Sequence, residues 1–173
     1  IVKVNGTENI GGFSEHIGIS IENPSLYPHM TAKQNLEAQR LLLGIKDKEI
    51  ILRVLKLIGL ENNHLKAEKF SLGMKQRLAI GLALIGNPSV LLLDEPFNGL
   101  DPLVVQDITE LLHKLKKHNV TIVISSHILE DLLELADVIE VMKAGKIISE
   151  VVPVEFTGSN IKKYLIELMK GNK

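Results

Sequence analysis

Residues 70–102 constrain the fold of this chain more than any other stretch. Here an apolar run, Val90 to Leu93, leads directly into two adjacent acids, Asp94 and Glu95. A continuous apolar run of this length is typical of a strand covered on both faces, as in a parallel sheet. Acids at the exit of a buried strand are costly unless they hold a metal or take part in chemistry. The stretch therefore predicts a reactive or metal-binding site at the end of this strand.

The elements predicted after this strand indicate an α/β fold. Apolar residues at helical spacing predict a helix over residues 103–118, and a second apolar run predicts a strand over residues 121–125. A strand–helix–strand order of this kind places the two strands in parallel. The remaining predictions are a short helix over 128–136, a hairpin of strands 138–142 and 146–151, and a terminal helix over 160–170.

The stretch between residues 31 and 88 has a helical pattern. Three residues with capping side chains each begin a predicted helix: Thr31, Asp47 and Ser71. Strands are predicted before this segment at residues 1–4, which lead into an Asn5-Gly6 hairpin turn, and at 16–21. We therefore predict a single domain over residues 1–173. In it a helical subdomain, 31–88, is inserted into an α/β core made of residues 1–30 and 89–173.

Charge and composition exclude several classes of protein. With 20 basic and 21 acidic residues the net charge is −1, which argues against a general binder of nucleic-acid backbones. The chain has no cysteine, so disulfides and thiolate zinc sites are excluded. No apolar run approaches the roughly 18 residues that a membrane-spanning helix needs.

The residues around the two acids indicate phosphate chemistry. A Mg²⁺ bound to nucleotide phosphates needs only one or two protein carboxylates, and Asp94 at the strand exit suits that role. Glu95 points differently and suits a general base, or a group that polarises water. Ser71 begins a helix whose N-terminal N–H groups favour an anion, and Gly73 permits close backbone approach. The alternative is an ordinary helix cap at Ser71 and a pair of surface acids at Asp94 and Glu95. It explains each feature alone, but not why the helix start is followed by an apolar strand that ends in two acids.

This succession resembles the signature motif, Walker B motif and D-loop of ATP-binding cassette (ABC) ATPases. The signature corresponds to residues 71–74, where Leu72 replaces the first of the two adjacent glycines usual in the family. The D-loop corresponds to residues 98–101, which have the sequence N-G-L-D. The resemblance implies a P-loop NTPase-like (RecA-like) α/β fold, with a mostly parallel sheet and an inserted α-helical subdomain.

The same resemblance implies roles for individual residues. Asp94 and Glu22 would bind Mg²⁺, Glu95 would be the catalytic base, and His127 would be the switch histidine at the γ-phosphate of ATP. The residues implied in nucleotide contact are Ser71, Leu72, Gly73, Met74 and Asp101. In the family the signature motif contacts ATP held by the opposite protomer. The resemblance therefore implies a head-to-tail dimer with a second ATPase subunit.

Glu22 departs from the usual family pattern. Residues 17–22 occupy the place of the Q-loop, where most ABC ATPases carry glutamine. Glutamate keeps an oxygen for Mg²⁺ or water, loses an amide donor and adds charge. Residues 24–31, followed by Asn35 and Leu36, resemble the bacitracin-export and lantibiotic-immunity branch, whose members commonly carry glutamate here. The alternative is an ordinary solvent-exposed loop acid.

One family motif does not occur among the 173 residues, namely the P-loop pattern G-x-x-x-x-G-K followed by Ser or Thr. From the resemblance we expect the chain to cover the C-terminal three-quarters of one cassette, truncated at its N-terminus. Residues 121–125 would then form an unpaired apolar edge, which favours self-association. We also expect negligible ATPase activity and weak nucleotide binding from these residues alone.

The leading hypothesis is the ATP-binding and hydrolysing subunit of an ABC transporter that exports peptide antibiotics or similar amphiphiles. It would use ATP and Mg²⁺, and would act with transmembrane permease subunits at the cytoplasmic face of the cell membrane, without nucleic acid. One alternative is a soluble ABC-type ATPase in translation or DNA repair. Another is a truncated, non-catalytic regulatory module.

Overall fold

A computed structural model describes residues 3–4, 7–8, 16–155 and 160–170. The strands are β1 (Lys3–Val4), β2 (Thr7–Glu8), β3 (Ile17–Ser20), β4 (Val90–Asp94), β5 (Thr121–Ser125), β6 (Ile139–Lys143) and β7 (Lys146–Val151). The α-helices are α1 (Ala32–Leu42), α2 (Glu49–Leu57), α3 (Leu72–Leu84), α4 (Pro102–Lys117), α5 (Leu129–Leu135) and α6 (Asn160–Lys170). The chain divides into two compact units, Ile1–Ser125 and Ser126–Lys173.

The first unit contains the predicted parallel sheet. Its strands lie in the order β3-β4-β5, and both pairings are parallel. Ser20 pairs with Leu93, and Asp94 pairs with Ser125, so the three strands end at nearly the same level. Within the described residues β5 has one neighbour, β4, which agrees with the edge position expected for residues 121–125. Strands β1 and β2 pair antiparallel, which agrees with the hairpin turn predicted at Asn5-Gly6, although those two residues lie outside the described part.

Among the residues that the structure describes, β4 is covered on one face only, whereas the sequence predicted cover on both. Leu91 and Leu93 are 0 and 2% exposed on one face of the sheet, where helices pack. Leu92, on the other face, is only half-buried. Its register partners there, Ile19 and Val123, are 46 and 54% exposed. Within the described part of the chain the apolar run is therefore buried on one face, and Ile19, Leu92 and Val123 form an apolar row on the other.

Helices α1 to α3 lie between β3 and β4 in the chain, as predicted for the helical insertion. Thr31 begins α1 with a capping box to Gln34, and Ser71 begins α3 by accepting from the Met74 N–H. The predicted cap at Asp47 is one residue early, because Lys48 is the N-cap of α2. The Asp47 carboxylate nonetheless accepts from the Glu49 N–H at 2.9 Å. Local capping chemistry thus sets where these helices begin.

The second unit has its own apolar core. Strands β6 and β7 form the predicted antiparallel hairpin, and α6 packs against it. The buried residues of this core are Ile139, Val141, Val151, Ile161 and Leu165. None of the helices in the described ranges is long and apolar enough to cross a membrane.

Candidate functional site

The carboxyl edge of the parallel sheet brings polar residues from three separate segments together. Glu22 follows the end of β3, Asp94 ends β4, and Ser125 ends β5. In open parallel sheets the crevice outside the carboxyl ends of the strands is where ligands bind. The register of the strands, not proximity in sequence, therefore defines this candidate site.

Ser125 links the two acids of the site. Its hydroxyl donates to Asp94 Oδ1 at 2.6 Å, and its oxygen accepts from the Glu95 N–H at 3.1 Å. The Ser125 carbonyl also accepts from the Glu95 N–H, at 3.1 Å. One residue on β5 thus orients the Asp94 carboxylate and fixes the backbone that carries Glu95.

Glu95 has an unusual backbone conformation. Its φ is +46°, in the left-handed region that non-glycine residues rarely occupy. The turn that follows is held by Pro96 and Phe97, both buried, with Phe97 only 2% exposed. Strained residues held by well-packed surroundings cluster at functional sites. The conformation therefore supports a functional interpretation of Glu95.

Glu22 is bonded to the turn that follows Glu95. Asn98 Nδ2 donates to Glu22 Oε1 at 2.8 Å, a contact between residues 76 positions apart. The same turn is closed by the Asn98 N–H, which donates to the Glu95 carbonyl at 3.2 Å. The predicted Q-loop and D-loop residues are therefore in direct contact.

The start of α3 packs against the start of α4. A Cβ on Gly73 would lie 2.6 Å from Val104 Cγ1, so only glycine allows this approach. One turn further on, Arg77 Nη2 donates to Asp107 Oδ2 at 2.9 Å. Asp101 caps α4 by accepting from the Val104 N–H at 3.1 Å. The signature and D-loop segments of one chain are thus joined through the first turns of two helices.

Leu72, the departure from the double glycine, lies on the surface next to the D-loop. Its side chain is 53% exposed, and its Cδ2 atom lies 3.2 Å from where a Cβ on Gly99 would be. Gly99 has a φ of +71°, so a side chain there would also be strained. Leucine at this position therefore packs along the turn and leaves the cap at Ser71 intact.

Substituting Gly73 tests the packing of α3 on α4. We expect Gly73→Ala to lower the free energy of unfolding by about 1 kcal/mol net, since overpacking outweighs the gain in helix propensity. Chemical denaturation measures the effect. Adding Val104→Ala, which removes the two atoms in the way, should recover part of the loss. Adding Leu103→Ala, at a neighbouring side chain that is 75% exposed, should recover none. Equal recovery by both would contradict the packing assignment.

His127 belongs to the second unit, two residues after Ser125 along the chain. The chain turns here, since the Ser126 hydroxyl accepts from the Ile128 N–H at 3.0 Å. Helix α5 then begins at Leu129. The role implied for His127 at a γ-phosphate stays a prediction.

The described residues do not form a self-sufficient metal site. No group of three or more His, Cys, Asp and Glu side chains within residues 16–155 and 160–170 is arranged to hold a metal ion. Asp94 nevertheless offers an exposed carboxylate at the strand end, which suits a Mg²⁺ that arrives with nucleotide phosphates and keeps most of its waters. The donor chemistry of Asp94 therefore fits a Mg²⁺ that arrives with a nucleotide.

Sequence comparison places the chain in a family. Residues 2–98 match the ABC transporter family, so the chain belongs to this family. It is 42% identical over 91% of its length to the bacitracin transport ATP-binding protein BcrA of Bacillus licheniformis, and covers 52% of that protein. It is 44% identical over 83% of its length to the lantibiotic transport ATP-binding protein SrtF of Streptococcus pyogenes, and covers 61% of it. The chain thus spans about half to three-fifths of these curated relatives.

Solved structures agree on the fold. The ADP conformation of the ATP-binding cassette MJ1267 superposes with a TM-score of 0.75 at 26% identity, covering 90% of this chain and 68% of that one. A dimeric, post-hydrolysis state of the cassette MJ0796, bound to ADP and Pi, superposes with a TM-score of 0.70 at 28% identity, covering 79% of this chain and 62% of that one. The predicted P-loop NTPase-like α/β fold is confirmed.

The roles of two residues at the site, Ser125 and Asn98, were not predicted from the sequence. Ser125 carried a signal, because it is a polar residue at the end of an apolar strand. Asn98 is predicted only as part of the D-loop turn, and no local pattern indicates its bond to Glu22. Both contacts depend on which strands become neighbours, which spacing along the chain does not encode.

Proposed function

We propose that the protein containing this chain is the ATP-binding and hydrolysing subunit of an ABC transporter that exports peptide antibiotics or similar amphiphiles. The observation that carries the proposal is the grouping of Glu22, Asp94 and Glu95 at the carboxyl edge of a parallel sheet. The names of the relatives, which refer to bacitracin and lantibiotic transport, support the export function over one in translation or DNA repair.

In this proposal the two acids after β4 have different roles. Asp94, oriented by the Ser125 hydroxyl, would hold Mg²⁺, which when bound neutralises charge on the nucleotide phosphates. Glu95 would accept the proton of the water that attacks the γ-phosphate. Its backbone N–H is bonded to Ser125, the residue that also orients the Asp94 carboxylate. Two neighbouring carboxylates would thus serve metal binding and proton transfer separately.

The remaining predicted residues would act on the nucleotide of a second subunit or on the γ-phosphate. Ser71 to Met74 and Asp101 would contact the partner's nucleotide in a head-to-tail dimer. The Ser71 hydroxyl accepts from the Met74 N–H and still has a proton to donate to a phosphate oxygen. His127 would steady the γ-phosphate. The dimeric state in which the cassette MJ0796 was solved supports a dimer.

The proposal also includes partners and location. Transmembrane permease subunits would hold the ATPase at the cytoplasmic face of the membrane, and the segment that follows Glu22 would face them. We propose that residues 1–173 alone do not turn over ATP, because no P-loop supplies a phosphate cradle among them. Nucleotide turnover would then require a P-loop from outside these residues.

Export of peptide antibiotics is tested by resistance of the host. We expect disruption of the gene to lower the minimal inhibitory concentration of bacitracin or of a lantibiotic by several-fold, while that of an unrelated ribosome inhibitor stays unchanged. The complete gene, restored with its permease gene, should recover resistance. Unchanged sensitivity to every cell-envelope peptide tested, or a defect in translation or repair instead, would contradict the export function.

A further inference from the structure

The contact between Asn98 and Glu22 joins two loops that leave neighbouring strands. Glu22 lies two residues beyond the end of β3, and Asn98 lies four residues beyond the end of β4. Their side chains meet at 2.8 Å, although 76 positions separate them in the chain. A single hydrogen bond therefore connects the predicted Q-loop acid to the turn that carries Glu95.

The Asn98 end of this contact lies in a hydrogen-bonded turn. Its own N–H donates to the Glu95 carbonyl, and the Leu100 N–H donates to the Phe97 carbonyl, each at 3.2 Å. The turn is anchored in the core by Phe97, which is 2% exposed. The amide of Asn98 thus belongs to a turn held by backbone bonds and by a buried side chain, and it can define where the Glu22 carboxylate lies.

The chemistry of the pair is directional. An ionised glutamate only accepts hydrogen bonds, and the asparagine Nδ2 only donates them. A neutral amide bonds one carboxylate oxygen without cancelling the charge. The carboxylate therefore stays negative, and its second oxygen can accept from water or bind a cation. A lysine here would neutralise the acid, and an aspartate would repel it.

We infer that Asn98 is a positioning residue, which holds the Glu22 carboxylate beside the turn of Glu95 so that the two loops act as one unit. This inference rests on the proposed ATPase function. In it Glu22 remains the group that touches water or Mg²⁺, and Asn98 acts only through Glu22. Movement of the loop after β3 is thereby transmitted to the turn after β4.

Exchanging the donor and the acceptor tests the inference in the complete gene product. Asn98→Asp places two acceptors opposite each other, and we expect the kcat for ATP to fall about tenfold with little change in MgATP affinity. Adding Glu22→Gln puts an amide opposite the new carboxylate and re-forms the hydrogen bond in the reverse direction. We expect the double variant to return to within about twofold of Glu22→Gln alone.

The matched control is Asn62→Asp, which adds the same charge at an exposed loop position far along the sequence from either residue. It should leave kcat unchanged. The inference is overturned if Asn98→Asp is as active as the unsubstituted protein, or if Glu22→Gln fails to rescue it. If Asn62→Asp lowers kcat as much as Asn98→Asp does, the loss comes from added charge alone, and the inference is likewise overturned.

A second readout separates this inference from the proposed function. If the complete protein shows no ATP turnover that depends on Glu95, the ATPase proposal fails. The contact between Asn98 and Glu22 is then tested by the denaturant midpoints of the unsubstituted protein, the two single variants and the double variant. Recovery of stability in the double variant, beyond the sum of the single effects, supports the contact. If the change in midpoint of the double variant equals the sum of the two single changes, the inference is overturned.

Discussion

Replacing Glu95 by glutamine is expected to lower ATP turnover by the complete gene product by about 10²–10⁴-fold, the range typical of a lost general base. Glutamine has nearly the same shape but takes up no proton at neutral pH. The backbone bonds from residue 95 to Ser125 do not involve the side chain, so the turn should persist. Binding of MgATP should therefore survive, and the substituted protein should accumulate with nucleotide bound. Steady-state phosphate release and equilibrium nucleotide binding measure the two quantities.

The matched control is Glu110→Gln on α4. Glu110 is exposed, and its substitution removes the same charge from the chain. We expect its turnover to equal that of the unsubstituted protein. Unimpaired turnover in Glu95→Gln would show that another group accepts the proton, and it would remove the main chemical support for the proposed mechanism. Loss of both binding and turnover would indicate misfolding instead, which circular dichroism would detect.

The largest expected effect on stability comes from Gly18→Ala in β3. A Cβ at this position would lie 2.2 Å from the Ala83 carbonyl oxygen, and 3.0 Å from both the Ala83 carbonyl carbon and Pro88 Cγ. The obstacle is helix backbone rather than a flexible side chain, so α3 itself must move away from the sheet. We expect the free energy of unfolding to fall by about 3 kcal/mol or more, as in severe overpacking. Denaturant unfolding of the complete protein measures it.

Gly44→Ala separates this steric effect from the effect of adding any side chain to a glycine. Gly44 follows α1 with a φ of +67°, and no other atom lies within 4 Å of where its Cβ would be. Only the cost of a left-handed conformation applies, about 1–2 kcal/mol. If Gly18→Ala costs no more than Gly44→Ala, the close approach of β3 to α3 is not real.

Many local elements were predictable because their causes are local. The capping side chains of Thr31 and Ser71 mark the starts of α1 and α3, since a cap acts on the next turn of the chain. The apolar runs of β4 and β5 predicted two strands with the correct bounds to within one residue. Asp47 shows that a capping residue type does not fix the N-cap position to the residue. Its carboxylate accepts from the Glu49 N–H, but the N-cap of α2 is Lys48.

Burial was less predictable than the strands themselves. An apolar run such as Val90 to Leu93 suits a strand with either one or two covered faces, and the composition of the run does not distinguish them. What covers a face depends on segments distant in the sequence. Ile19, Leu92 and Val123 form one apolar row because the register of the three strands places them side by side, which the sequence of each strand does not indicate.

The family, the order of the elements and the acids of the candidate site could all be predicted, because they depend on residue types at short spacing. Three features could be found only in the folded chain: Ser125 orients Asp94, Asn98 bonds Glu22, and Glu95 has a positive φ. These features arise where parallel strands that are far apart in the chain end side by side. Their geometry follows from strand register and core packing, which are properties of the folded chain as a whole.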